Sequence, residues 1–213
     1  LIRTLKLACV ALALLAAGCE STPQPGSGAV AGKAGAGAPP AATGQFPRED
    51  RSFWTTDDQS NLVHRLSGAI CAPAWAGLPR ERIFLYRADG SDVSCNYTIS
   101  SSPSYMTFYV FKGDLQEQLE GALEAMRTRQ PAAREVPFGL PTNGYRARTL
   151  QYSANGGVTV RTSVLFAEAD GWLLEIRLTT PERDAPRLEQ AAGIMLMGQA
   201  ERLRDQTRPG RRT

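Results

Sequence analysis

His64 is the one histidine among 213 residues, so proton transfer near neutral pH by an unperturbed side chain has to pass through it. That count excludes zinc sites built from several imidazoles and the metalloprotease helix motif, and no metal is implied. A Ser-His-Asp hydrolase would have to recruit His64 with one of the serines, yet the sequence holds no Gly-X-Ser-X-Gly elbow. Carboxylate pairs such as Asp57-Asp58 and Glu168-Asp170 fall where turns are expected, a setting found in any water-facing domain. No glycine loop follows a strand and opens a helix to cradle phosphate, and Asn155-Gly156-Gly157 reads as a hairpin turn. No catalytic residue and no cofactor is assigned on these grounds.

Recognition is the other chemistry on offer. Phe53, Trp54, Trp75, Phe84 and Tyr86 gather in a short stretch. Trp75 sits within Ala72-Pro73-Ala74-Trp75-Ala76-Gly77-Leu78-Pro79, an apolar run directly after Cys71. Aromatic residues on scaffold-held loops commonly serve binding, and proline restricts the backbone and lowers the entropy lost on docking. Two roles stay open for Trp75 and Leu78: contact with a ligand or partner, and packing in the core.

The elements that must hold these residues begin near Phe46. From there to about residue 206 the chain is long enough to bury about 68–70% of its surface around one core, and one domain is the economical count. Strands are expected at Leu62 to Ile70, Arg82 to Arg87, Asp92 to Ile99 and Tyr105 to Phe111. In the third, Val93, Cys95, Tyr97 and Ile99 alternate with Ser94, Asn96 and Thr98, which turns one face inward. The period then changes. Asp114, with Glu117 three residues on, caps a helix whose stripe of Leu115, Leu119, Ala122, Leu123 and Met126 runs until Pro131. Strands resume at Tyr145 to Ser153, Val158 to Ala167 and Trp172 to Thr179, with Asp170-Gly171 as a hairpin turn. Thr180-Pro181 is expected to open a closing helix that sets Leu188, Ala192 and Met195 on the core. The fold class is therefore α+β: an antiparallel β-sheet with one inserted helix and one C-terminal helix.

The first 45 residues are of another kind. Arg3 and Lys6 precede an apolar run from Leu7 to Ala17, and Leu15-Ala16-Ala17-Gly18 leads into Cys19. This run is too short to span a bilayer, which takes about 20 apolar residues. The stretch resembles the signal peptide of bacterial lipoproteins, whose lipobox ends in a cysteine that is lipidated and becomes the mature N-terminus. The resemblance implies a signal peptide over 1–18 and lipidation at Cys19. With Glu20 next, it also implies sorting to the outer membrane, the protein facing the periplasm. Acyl chains at about 0.8 kcal/mol per buried CH₂ would make the anchor permanent. Residues 19–45 are almost all Ala, Gly, Pro, Ser and Thr after Glu20, unable to bury enough surface to order themselves. They read as a linker with ends about 25–30 Å apart.

The same resemblance sorts the cysteines. Cys9 leaves with the signal and Cys19 carries lipid, so Cys71 and Cys95 remain as a pair in an oxidising compartment and are expected to form a disulfide. The alternative is a reactive thiol pair, but neither cysteine belongs to a Cys-X-X-Cys motif. Lysine plus arginine number 24 against 21 acidic residues, and losing Arg3 and Lys6 leaves 22 against 21, which is no nucleic-acid signature. Arg202, Arg204, Arg208, Arg211 and Arg212 gather at the end, with residues 207–213 read as a basic tail, either solvated or set against an anionic surface.

The order of strands, helix, three-stranded meander and closing helix is similar to the PsbP-like αβα sandwich, whose families include assembly factors and adaptors more often than enzymes. The expectation is a non-enzymatic lipoprotein, held to the membrane by its lipid anchor, that binds an envelope protein or small ligand. Two alternatives remain open: an envelope hydrolase working through His64, and a protective inhibitor or immunity lipoprotein.

Overall fold

The computed structural model describes residues 47–98 and 102–207. The segments expected to be signal and linker, Cys19 among them, and the expected tail beyond Thr207 lie outside the described residues. The strands are β1 (Arg48–Glu49), β2 (Trp54–Thr56), β3 (Leu62–His64), β4 (Ile70–Cys71), β5 (Ala74–Trp75), β6 (Leu78–Leu85), β7 (Asp92–Thr98) and β8 (Tyr105–Phe111). Helix α1 (Leu115–Arg129) follows, then β9 (Arg134–Val136), β10 (Arg146–Ser153), β11 (Thr159–Ala169), β12 (Trp172–Pro181) and α2 (Ala185–Thr207). The α+β class, with one inserted and one C-terminal helix, is what the structure shows.

Nine of the described strands form one antiparallel sheet in the order β1-β6-β7-β8-β12-β11-β10-β9, with β5 also paired to β6. β2, β3 and β4 form a small separate sheet. Alternation along the long strands gives the main sheet two faces. Ile83, Leu85, Val93, Cys95, Tyr97, Phe108, Val110, Leu174, Ile176 and Leu178 share the larger core with Trp54, Leu62 and Cys71 of the small sheet. From α2, Leu188, Ala192, Leu196, Ala200 and Leu203 join that core. On the opposite face Leu119, Ala122, Leu123 and Met126 of α1 cover Phe111, Leu150, Val164, Phe166 and Leu173. Asp114 caps α1 as its type and spacing require, its carboxylate accepting from the Glu117 amide at 2.9 Å. At the start of α2, Glu189 is 2% exposed and accepts from Arg161 at 3.0 Å and Ser163 at 2.7 Å, a buried pairing that fixes how the helix sits on β11.

β10, β11 and β12 differ from the sequence reading by one or two residues at an end, and two departures are larger. Leu62 to Ile70 is not one strand but a hairpin of β3 and β4, the chain reversing over 65–69 where Gly68 has φ +75°. β6 begins at Leu78, so the proline-bounded run is the β5–β6 hairpin rather than an open loop. Pro181 ends β12 opposite Val160 and caps a 3-10 turn, Glu182–Asp184, that leads into α2, whose first turn holds Pro186.

Cys71 and Cys95 are bonded, with Cα atoms 6.3 Å apart, tying β4 of the small sheet to β7 of the main one. The bond closes a loop of 24 residues' separation, worth about 3–4 kcal/mol by chain entropy. The double change Cys71→Ser, Cys95→Ser is expected to lower unfolding free energy by that amount in urea titrations. Alkylation of both thiols in unfolded, unreduced protein, read by mass spectrometry, would reject the bond.

Candidate functional site

His64 lies at the end of β3, fully buried. Its Nε2 is 3.0 Å from the Gly90 carbonyl and its Nδ1 2.8 Å from Ser67 Oγ. A carbonyl only accepts, so Nε2 carries the proton and Nδ1 accepts from the Ser67 hydroxyl. The Ser67 oxygen in turn accepts from the Ala69 amide at 3.1 Å. Trp54 lies 5.1 Å from the imidazole and Trp172 meets it edge-on at 5.6 Å. Lys112 Nζ sits 3.9 Å over the Trp172 ring. The turn carrying Gly90 needs a glycine, because φ is +75° and a Cβ there would fall 2.2 Å from the Phe53 ring. Burial lowers the His64 pKa to about 4, against the raising effect of the Gly90 bond. Both ring nitrogens are engaged, and the group orienting the ring is a main-chain carbonyl rather than the carboxylate of a triad. The arrangement locks the Asp89-Gly90 turn onto the small sheet.

A pH dependence follows. A histidine whose folded pKa is near 4 and whose ordinary value is 6.5 leaves stability intact above about pH 6.5. The loss grows as pH falls toward 4 and reaches about 3 kcal/mol. Asp92 works in the opposite sense (below), so the effect is read as a difference. The stability gap between wild type and His64→Gln in urea should shrink by about 2–3 kcal/mol from pH 7 to pH 4.5. A gap that stays constant would mean that His64 titrates in the fold as it does in the unfolded chain, with water reaching the ring.

The face of the main sheet that carries α1 supplies the second constellation. Phe84, Ser94, Tyr109 and Glu175 are successive cross-strand partners through β6, β7, β8 and β12, and Arg82, Asn96, Thr107 and Arg177 form the next row. α1 packs chiefly on β10 and β11 and meets β8 through the cluster that holds Phe111 and Tyr109, so β6, β7 and the rest of β8 carry no helix on this face. Phe84, Tyr86 and Tyr109 form a continuous aromatic line, with ring centroids 6.4 and 5.9 Å apart. The Tyr86 and Ser94 hydroxyls are 3.3 Å apart. Arg177 makes a two-point pair with Glu175, through Nε to Oε1 and through Nη2 to Oε2 at 3.3 Å. Its guanidinium lies 5.0 Å over the Tyr109 ring. Glu175 is 2% exposed. Burial raises its pKa, while the Arg177 charge and hydrogen bond lower it. Asp92 is pushed up to about 7, by burial first and then by the Glu175 charge, with Arg87 and Arg177 opposing. Protonation of Asp92 therefore favours the fold as pH falls through 7.

At the far end of this face a cavity of about 90 Å³ opens between the C-terminal end of α1 and the sheet. Met126, Arg129 and Gln130 of the helix end line it with Tyr105, Leu150, Tyr152 and Thr162 of the strands. A larger groove of about 470 Å³, lined in part by Arg146, Glu168 and Arg204, is more open.

The residues singled out from sequence divide accordingly. Trp54 and Trp75 enter the core, whereas Phe84 and Tyr86 stand half-buried on the open face. Trp75 and Leu78 are 9% and 5% exposed and belong to the larger core. Neither side chain is presented to solvent as a binding loop requires, because the tight turn between them points both inward. Cys19 lies outside the described residues. Among the described residues no three His, Cys, Asp or Glu side chains group as metal ligands. Sequence reading missed Tyr109, Glu175, Arg177 and Asp92. The available signal was an opposed charge pair on the second face of β12, where Leu173, Glu175, Arg177 and Thr179 alternate with apolar residues.

What fold and site define together is an α+β domain with one half-covered sheet face, aromatic and polar, backed by an ion pair between buried Glu175 and partly exposed Arg177. Compared with known proteins, the chain matches no family model and no curated protein.

Proposed function

We propose that the protein is a lipoprotein of the outer membrane, facing the periplasm, whose domain is a non-enzymatic binding module or assembly adaptor. The observation that carries this reading is the open β6–β8 face. It sets half-buried Phe84, Tyr86 and Tyr109 beside exposed Arg82 and half-buried Asn96, the tyrosine-and-arginine chemistry enriched where proteins are recognised, while Ser94, Thr107 and Glu175 in the same rows are buried. The order of elements supports a PsbP-like sandwich. The lipobox ending at Cys19 supports attachment through lipid, and among the described residues no helix is long and apolar enough to cross a bilayer. A hydrolase built on His64 has less to draw on, since that imidazole is sealed and engaged at both nitrogens. An inhibitor or immunity role would use the same open face and differs only in what it covers.

A photoreactive amino acid placed at Arg82 or Phe84 in cells tests the reading, with the exposed Glu124 on α1 as control. Discrete crosslinked products from the sheet face, sedimenting with outer membranes and displaced to the soluble or unprocessed fraction by Cys19→Ala, are the expected result. Equal products from Glu124, or none from the face, would defeat the binding-module reading. Unchanged sedimentation of Cys19→Ala would defeat the anchor.

A further inference from the structure

The cavity at the end of the open face is small, apolar at its floor and polar at its mouth. Leu150 and Met126 are 1% and 7% exposed and form the floor, while Tyr105 is 50% exposed at the rim. A cavity of about 150 Å³ admits benzene. The volume here, about 90 Å³, suits a branched aliphatic group of valine or leucine size better than an aromatic ring. Polar groups stand ready at the mouth. Thr162 is engaged with Thr179 at 3.0 Å, but the Tyr105 and Tyr152 hydroxyls and the Arg129 guanidinium have no partner among the described residues. Arg127, in the same last turn of α1, is taken by Glu135 at 2.9 Å. Arg129 is not, and a guanidinium with free N–H groups matches a carboxylate at two points.

We propose that this pocket receives the C-terminal residue of a partner polypeptide, a branched aliphatic side chain entering the cavity and the terminal carboxylate meeting Arg129. A terminal residue is favoured over an internal acidic one because it carries carboxylate and aliphatic side chain on one Cα. It can therefore fill a cavity this small and reach a cation at its mouth together. The proposal rests on the binding-module reading and names the partner chemistry of that face.

The full chain in detergent is titrated with N-acetyl-L-leucine and followed by saturation-transfer NMR and calorimetry. A probe this small is expected to bind with a dissociation constant in the millimolar range, with transfer strongest from the leucine methyls. N-acetyl-L-leucinamide, lacking the charge, should bind about tenfold more weakly, and N-acetyl-L-tryptophan should also bind more weakly. Arg129→Gln, at an exposed position, should erase the preference for acid over amide without moving the melting temperature. No binding of N-acetyl-L-leucine, equal binding of acid and amide, or a preference that survives Arg129→Gln would overturn the proposal. Decanoate binding more tightly than N-acetyl-L-leucine would overturn it in favour of a lipid-derived acid. Crosslinking from Arg82 and Phe84 is read separately, so the pocket can fail while the binding face stands, and the reverse.

Discussion

Arg177→Ala is expected to lower the unfolding free energy at pH 7 by about 3–5 kcal/mol, the cost of leaving a buried carboxylate without its cation. Glu175 is 2% exposed and receives both hydrogen bonds from Arg177. With the guanidinium gone, its charge has neither water nor partner, and Asp92 nearby adds repulsion. The variant has a pH signature. Its Glu175 would bind a proton more tightly folded than unfolded, so the penalty is full at neutral pH and is relieved as pH falls and the carboxylate protonates. The double change Glu175→Met, Arg177→Met should recover much of the loss, because a buried pair replaced by hydrophobic residues of similar volume is often neutral or better. Urea titrations of the three forms at pH 7 and pH 5 decide the matter. An Arg177→Ala loss below about 1 kcal/mol, in the range of exposed ion pairs, would mean that water reaches Glu175 in solution.

The sheet row that holds Glu175 marks where local sequence stopped being informative. Phe84 and Glu175 share a row only because β8 lies beside β12 in the sheet. That adjacency joins residues some ninety positions apart and leaves no local trace in the chain. Local signals were reliable where chemistry was local. Tyr105 to Phe111, rich in aromatic and β-branched residues, is a strand with those bounds, Asp114 caps α1, and Asp170-Gly171 turns β11 into β12 with φ values of +51° and +70°. Between Leu62 and Ile70 two signals competed and the wrong one was read, because Ser67-Gly68 is a turn hidden between apolar residues. Pro181 both closes β12 and caps the 3-10 turn Glu182–Asp184 that runs into α2, so the helical stretch opens there as expected, while α2 itself begins at Ala185 with Pro186 in its first turn. For the candidate site, the aromatic stretch from Phe53 to Tyr86 was visible. Which of its members face the core depended on the small sheet and the disulfide that folds it over β6 and β7.

Trp75→Ala is the second large effect, an expected loss of about 3–5 kcal/mol. Trp75 pairs with Leu78 across a two-residue turn in which Ala76 and Gly77 have φ of +46° and +87°, the left-handed pair typical of hairpins whose twist matches their strands. The Arg80 amide donates to the Pro73 carbonyl at 2.8 Å, and the Arg80 guanidinium donates to the Cys71 carbonyl. The hairpin is thus clamped beside the disulfide and holds the indole at 9% exposure. Removing the ring would open a cavity beneath a hairpin that these bonds keep from collapsing, which places the loss toward the upper end of the range. For a domain of this size the melting temperature should fall by about 10 °C or more, and capture of a partner through the β6–β8 face should be unchanged in the fraction still folded. The opposite pattern, an unmoved melt with weakened capture, would require the indole to leave the core and work at the surface. It would transfer the binding role from the open sheet face to the proline-bounded hairpin.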